Sequence, residues 1–223
     1  MSVPSKRIES GRATLKLLSE GLLRSAGRTG MRGNLLEIHH ASAPLFDPVF
    51  LHSASELYGI SISLSQQQLS GPAPRLQCTS DQLPFQDNVF QMVVLHHVVA
   101  SGQEAELSEA VRVLARDGVL ILLGLNRMGW RYRTQSRSQR LPGIAPLKVK
   151  LRLEELHMTM QGFAGAGLGG MPRPAWMHDG LSSLGAPLAD IVLLQARHRD
   201  SPEATPLRFR KSRRGVVQSA ALR

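Results

Sequence analysis

The sequence predicts an α/β fold built on a mostly parallel sheet with helices on both faces. Three observations within Leu83–Asn126 predict it. Phe90–Leu95 is a short apolar run of strand length. Ala105–Ala115 places Leu107, Ala110, Val111 and Leu114 at helical spacing. After an Asp117-Gly118 turn, Val119–Leu123 is a second strand apolar on both faces. Strands of that kind must be covered on both sides. Two of them bracketing an amphipathic helix make a βαβ unit with a right-handed crossover.

The chain of 223 residues suits one α/β domain with appendages, and 42% apolar content is enough for a sizeable core. Its one cysteine, Cys78, excludes a disulfide framework and a cysteine-based zinc site and fits a reducing compartment. No apolar run approaches the roughly 20 residues that span a bilayer, so a soluble or peripheral, cytoplasmic protein is expected. The net charge of +10 is uneven. Residues 33–126 hold 9 acidic and 3 basic side chains, whereas 127–152 hold 8 basic and no acidic ones. Residues 1–32 carry 7 basic against 2 acidic, and 197–223 carry 8 against 2. An acidic core with basic arms suits contact with an anionic surface, RNA or a membrane leaflet; solvated tails that keep the protein soluble explain the same charge.

Taken in order, residues 1–32 form a basic segment with an amphipathic helix over Ala13–Leu23, its Leu15, Leu18, Leu22 and Leu23 on one side. Arg and Ser there also fit a mitochondrial transit peptide, against which Glu9 and Glu20 argue. Asn34–Ala43 follows. Ser42–Leu57 is expected to contain a helix, with Asp47-Pro48 as its cap and first turn. Tyr58–Leu69 reads as a second strand and the start of a further helix, and Arg75–Cys78 as a third strand. Residues 126–150 are a basic loop, Leu151–Gln161 a helix, Ala164–Gly170 a weak sixth strand and Ala189–Ala196 the last. A basic, turn-rich tail, 198–223, closes the chain.

Leu83-Pro84-Phe85, Asn88-x-Phe90 leading into Val93-Val94, and Glu109-x-x-Arg112-Val113-Leu114-x-x-Asp117-Gly118 together resemble the second half of class I S-adenosylmethionine (SAM)-dependent methyltransferases, closest to the type 11 group. The resemblance covers about residues 33–197. It implies a Rossmann-like sheet of seven strands, the last antiparallel, and transfer of a methyl group from SAM to an acceptor.

At the first strand the family has Leu-Leu-Glu-Ile followed by a glycine-rich turn. Leu35-Leu36-Glu37-Ile38 matches, but the three glycine positions fall on His39, Ala41 and Ala43. Glycines there allow left-handed backbone and let the cofactor lie on bare main chain, so His39 is expected to weaken standard SAM binding. The resemblance implies a cofactor set of Glu37, His39, Ser63, Gln68 and Asp81. Ser63 and Gln68 match the hydroxyl and glutamine that bind the sugar in relatives resembling cyclopropane-fatty-acid synthases; Asp81 matches an adenine-side acid. A polar helix start and a plain turn explain these residues equally well.

His96 and His97 follow the fourth strand at the carboxyl edge, where open α/β sheets bind ligands, and are candidate general bases. No metal is expected, because no ligand motif accompanies the His39-His40 and His96-His97 pairs and neighbours on an extended strand point apart. In the basic loop Asn126, Trp130, Arg131 and Tyr132 are candidate acceptor-binding residues, guanidinium groups suiting phosphates and aromatics suiting stacking. An exposed loop without a ligand is the alternative. Two functions therefore stay open: a divergent SAM-dependent methyltransferase of unknown acceptor, or an inactive protein of the same fold that binds RNA, anionic lipid or a protein partner. A phosphate-cradling nucleotide binder has little support, since it needs the same glycines.

Overall fold

A computed structural model describes residues 17–22, 33–40, 45, 49–52, 57–64, 82–99, 105–135, 141–167, 175–176 and 187–199. The expectations for Arg75–Cys78, Gln68, Asp81 and the C-terminal tail lie outside those residues. Strands β1 (Gly33–His40), β3 (Leu57–Leu64), β4 (Phe90–His96) and β5 (Leu114–Asn126) are the parallel heart of the sheet. The full order is β2-β3-β1-β4-β5-β9-β7-β8, with short β6 (Gly143–Ile144) also on β5. β9 (Ile191–His198) runs antiparallel between β5 and β7 (Met158–Ala166), as expected for the last strand. Six of the seven predicted strands are present as long strands. β2 (Val49–His52), β6 and β8 (Ala175–Trp176) are short additions.

Alternation along the strands sorts the core into two layers. Leu36, Ile38, Val93, Leu95, Leu120 and Leu122 pack with Leu107, Ala110 and Val113 of α2 (Ala105–Val113) and with Val149 and Leu153 of α4 (Pro146–Glu155). Leu35, Met92, Val94, Ile121 and Leu123 pack on the other side with Leu18 and Leu22 of the helical residues 17–22, here α1. Helices thus cover both faces, and the central strands are apolar throughout because no side of them meets water.

Several elements depart from expectation. Val49–His52 is a strand antiparallel to β3, where a helix was expected. Val49-Phe50-Leu51 favours a pleated surface, and Pro48 disfavours helix in the residue before it. The helix expected at Leu151–Gln161 occupies Pro146–Glu155, with Pro146 in its first turn. The chain turns out of it at His157, which lies two residues past its end and adopts φ 58. The sixth strand consequently begins at Met158, and Gly162-Phe163 lies inside it. The pairing of β7 with β9 shifts between Met160 and Gly162. The Asp117-Gly118 turn is an irregularity within β5: Phe90 pairs with Leu114 and Met92 with Val119, and Arg116 and Asp117 are exposed. The basic loop contains α3 (Trp130–Thr134), β6 and the start of α4.

The family-like residues of α2 have a structural task. Arg112 donates to the carbonyls of Leu83 (3.0 Å) and Phe85 (2.8 Å), while Glu109 accepts from the Leu83 N–H at 3.0 Å. The two side chains also bond each other at 2.8 Å. Their pairing fixes the Leu83–Phe85 segment onto α2 just before β4 begins.

Candidate functional site

Parallel register brings the carboxyl ends of three strands together. His39 is aligned with Ser63 on one side and with His96 on the other, and Glu37 is aligned with Ser61 and Val94. Aligned positions on neighbouring strands share a face, so Glu37, His39 and His96 all lie on the side covered by α1. Of Ser63 only its place in the register is described. Ser61, two residues before it, stands on that same face.

The Glu37 carboxylate is fully buried. One oxygen accepts from the Leu45 N–H at 2.8 Å, and the other accepts from the Ser61 hydroxyl at 2.6 Å. Nδ1 of His96, also fully buried, lies 3.7 Å from Glu37 Oε1. On its far side, His96 Nε2 is 3.2 Å from Ser19 Oγ of α1. A buried carboxylate is costly without such partners. Here the partners tie the chain after β1, the neighbouring strands and the covering helix to a single group.

β1 runs straight through the position of the family's first glycine. His39 is paired on both sides, is only 6% exposed, and is not among the residues with left-handed backbone. His97 does adopt that conformation, with φ 54, and donates its N–H to the Leu123 carbonyl at 2.8 Å. Leaving the strand at this point brings the His96 and His97 rings to 4.5 Å, where an extended backbone would have pointed them apart. Both imidazoles are buried, at 0% and 1% exposure. No group of three potential metal ligands occurs among the described residues.

The expected acceptor residues gather at the end of β5, in different roles. Asn126 is buried and donates its side-chain amide to the carbonyls of Pro187 (2.7 Å) and Ala189 (2.9 Å), while its oxygen accepts from the Met128 N–H (3.1 Å). Arg131 is held by Asp190, through a backbone bond of 2.9 Å and an Nε contact of 3.4 Å. Tyr132 packs partly buried against the α1-side core and over Gly143. Trp130 alone of the four is freely exposed, at 75%. Sequence reasoning missed Ser19, Ser61 and Asp190. Alternation from Ser63 would have found Ser61; the other two are recognisable only by what the fold sets beside them.

Residues 44–122 match the family model described as "Methyltransferase domain". Over that stretch the chain is similar to a methyltransferase domain. Solved structures with this methyltransferase fold include a SAM-dependent methyltransferase from Thermotoga maritima (TM-score 0.54, 10% identity, 87% of this chain and 95% of that one). The YcgJ protein from Bacillus subtilis is similar (0.53, 12% identity, 82% and 98%). So is a SAM-dependent methyltransferase from Archaeoglobus fulgidus (0.50, 11%, 82% and 93%). At such identities these likenesses speak for the fold alone. No curated protein sequence matches.

Proposed function

We propose that this chain is a divergent SAM-dependent methyltransferase that seats its cofactor at the carboxyl ends of β1, β3 and β4. The observation that carries this reading is the in-register meeting of His39, Ser63 and His96, with Glu37 anchored one layer below. That edge is where open α/β sheets hold ligands. The donor chemistry fits the cofactor: an acid on β1 and a hydroxyl residue at the end of β3, with Gln68 and Asp81 following in sequence. Bare glycine backbone is what it lacks, so the cofactor's amino-acid end has to pass beside His39. Bound there, SAM would supply an electrophilic methyl for transfer to a nucleophile on the acceptor, with S-adenosylhomocysteine as the leaving group. The chain's own task is to hold and align the two, with Trp130 and Arg131 on the acceptor side and Asn126 and Tyr132 supporting them.

Calorimetric titration with SAM and S-adenosylhomocysteine tests this. Micromolar binding is expected, and His39→Gly is expected to tighten it. Silence from the folded wild-type protein at millimolar ligand would sink the proposal. One observation favours a second reading, an inactive binding module: His39 fills the glycine position from within a strand paired on both sides. Silence from both wild type and His39→Gly would support it.

A further inference from the structure

The hydrogen bonds around Asn126 draw three separate segments to one end of the sheet. Asn126 bonds the carbonyls flanking Leu188 and the N–H of Met128. Arg127 donates its N–H to the Ile144 carbonyl at 3.0 Å, which sets the first turn of α4 beside the same strand end. The knot displays large apolar side chains outward: Met128 is 56% exposed, Trp130 75%, Leu147 71% and Leu188 54%. The same segments carry the exposed cations Arg127, Arg133 and Lys148. One acid of this end, Asp190, is buried and taken by Arg131.

We propose that this end of the molecule docks on an anionic lipid surface, with Trp130, Met128, Leu147 and Leu188 entering the headgroup region and Arg127, Arg133 and Lys148 meeting lipid phosphates. Apolar tips ringed by cations are what a charged interface accepts, and Trp settles at headgroup level. Single-stranded RNA is the poorer fit. It needs a row of aromatic faces for its bases, and among the described residues of this loop Tyr132 is packed over Gly143, which leaves only Trp130 exposed. Among the described residues no helix is long and apolar enough to cross a membrane, so contact would be peripheral. The inference does not depend on whether SAM is bound.

Trp130 is one of two tryptophans, so its emission is isolated by subtracting the spectrum of a Trp130→Phe variant. The full chain is mixed with phosphatidylcholine vesicles with or without about 30 mol% phosphatidylglycerol. A blue shift of Trp130 with the anionic vesicles only is expected. Arg127→Gln, Arg133→Gln and Lys148→Gln should each weaken partitioning about fivefold. Binding by the basic tails alone would sediment the protein with vesicles while leaving Trp130 unshifted, and that result would overturn the proposal. So would quenching of Trp130 by poly-uridine RNA together with no response to vesicles.

Discussion

Glu37 and His96, 59 positions apart, lie with both side chains fully buried and 3.7 Å between Oε1 and Nδ1. Their partners belong to α1, β3 and the chain after β1, so the pair sits where the helical layer meets the carboxyl end of the sheet. Glu37→Ala strands the Leu45 N–H and the Ser61 hydroxyl in the interior. A loss of about 3 kcal/mol is expected in urea unfolding. A double-mutant cycle with His96→Ala should show coupling above about 0.5 kcal/mol; strict additivity would mean that the two do not interact.

Acid should loosen the clamp on Leu83. The hydrogen bond from Arg112, helped by the Leu83 N–H, holds the Glu109 carboxyl below its usual pKa against the opposing effect of burial. Glu109 in turn, followed by Asp87, raises the pKa of Arg112. A carboxylate with a depressed folded pKa stabilises the fold fully above its unfolded value of about 4.3, and that contribution disappears as pH falls through the lowered folded value. Glu109→Gln should therefore flatten the stability profile below about pH 4. An unchanged acid limb in that variant would count against the assignment.

Asn126→Asp leaves the carbonyls of Pro187 and Ala189 without donors and sets a buried negative charge against them. A loss of about 3 kcal/mol is expected, larger than for Asn126→Ala. Hydrogen exchange should quicken first at Met128 and Arg131, whose N–H groups bond within this knot. A uniform change over the whole sheet would contradict the local role.

His157 ends α4 with φ 58 and a backbone bond from its N–H to the Glu154 carbonyl. Left-handed backbone after a helix is what glycine adopts without steric cost. His157→Gly should raise stability by about 0.5–1 kcal/mol in thermal or urea unfolding. Measurable destabilisation would show that the imidazole contributes contacts that outweigh the strain.

Reading helix and strand from the chain succeeded where burial imposes a local pattern. Leu107, Ala110 and Val113 mark one face of α2, and Val93–Leu95 and Leu120–Leu123 are apolar on both faces because both are covered. It failed where a local signal was outvoted. Val49–His52 pairs with β3 although Asp47-Pro48 looks like a helix start. Gly162-Phe163, just past the helix expected at Leu151–Gln161, sits in β7, because the left-handed turn at His157 had already ended α4. The site was legible in part: Glu37 and the two histidine pairs were singled out, whereas Ser61 and Ser19, the hydroxyl partners of Glu37 and His96, were not.

By itself, then, the sequence determined the fold class, the βαβ unit within it and the acid retained on β1. Those depend on periodicities of two and 3.6 residues, which short stretches of chain carry in full. Only the tertiary structure decided that Ser19, Glu37, Ser61 and His96 meet inside, that Asn126 ties three segments together, and that Trp130 alone of the candidate acceptor residues stands free. Such pairings depend on strand register and on which helix covers which face. These are relations between distant positions, in which a buried polar group must find a partner and the identity of that partner is written nowhere near it.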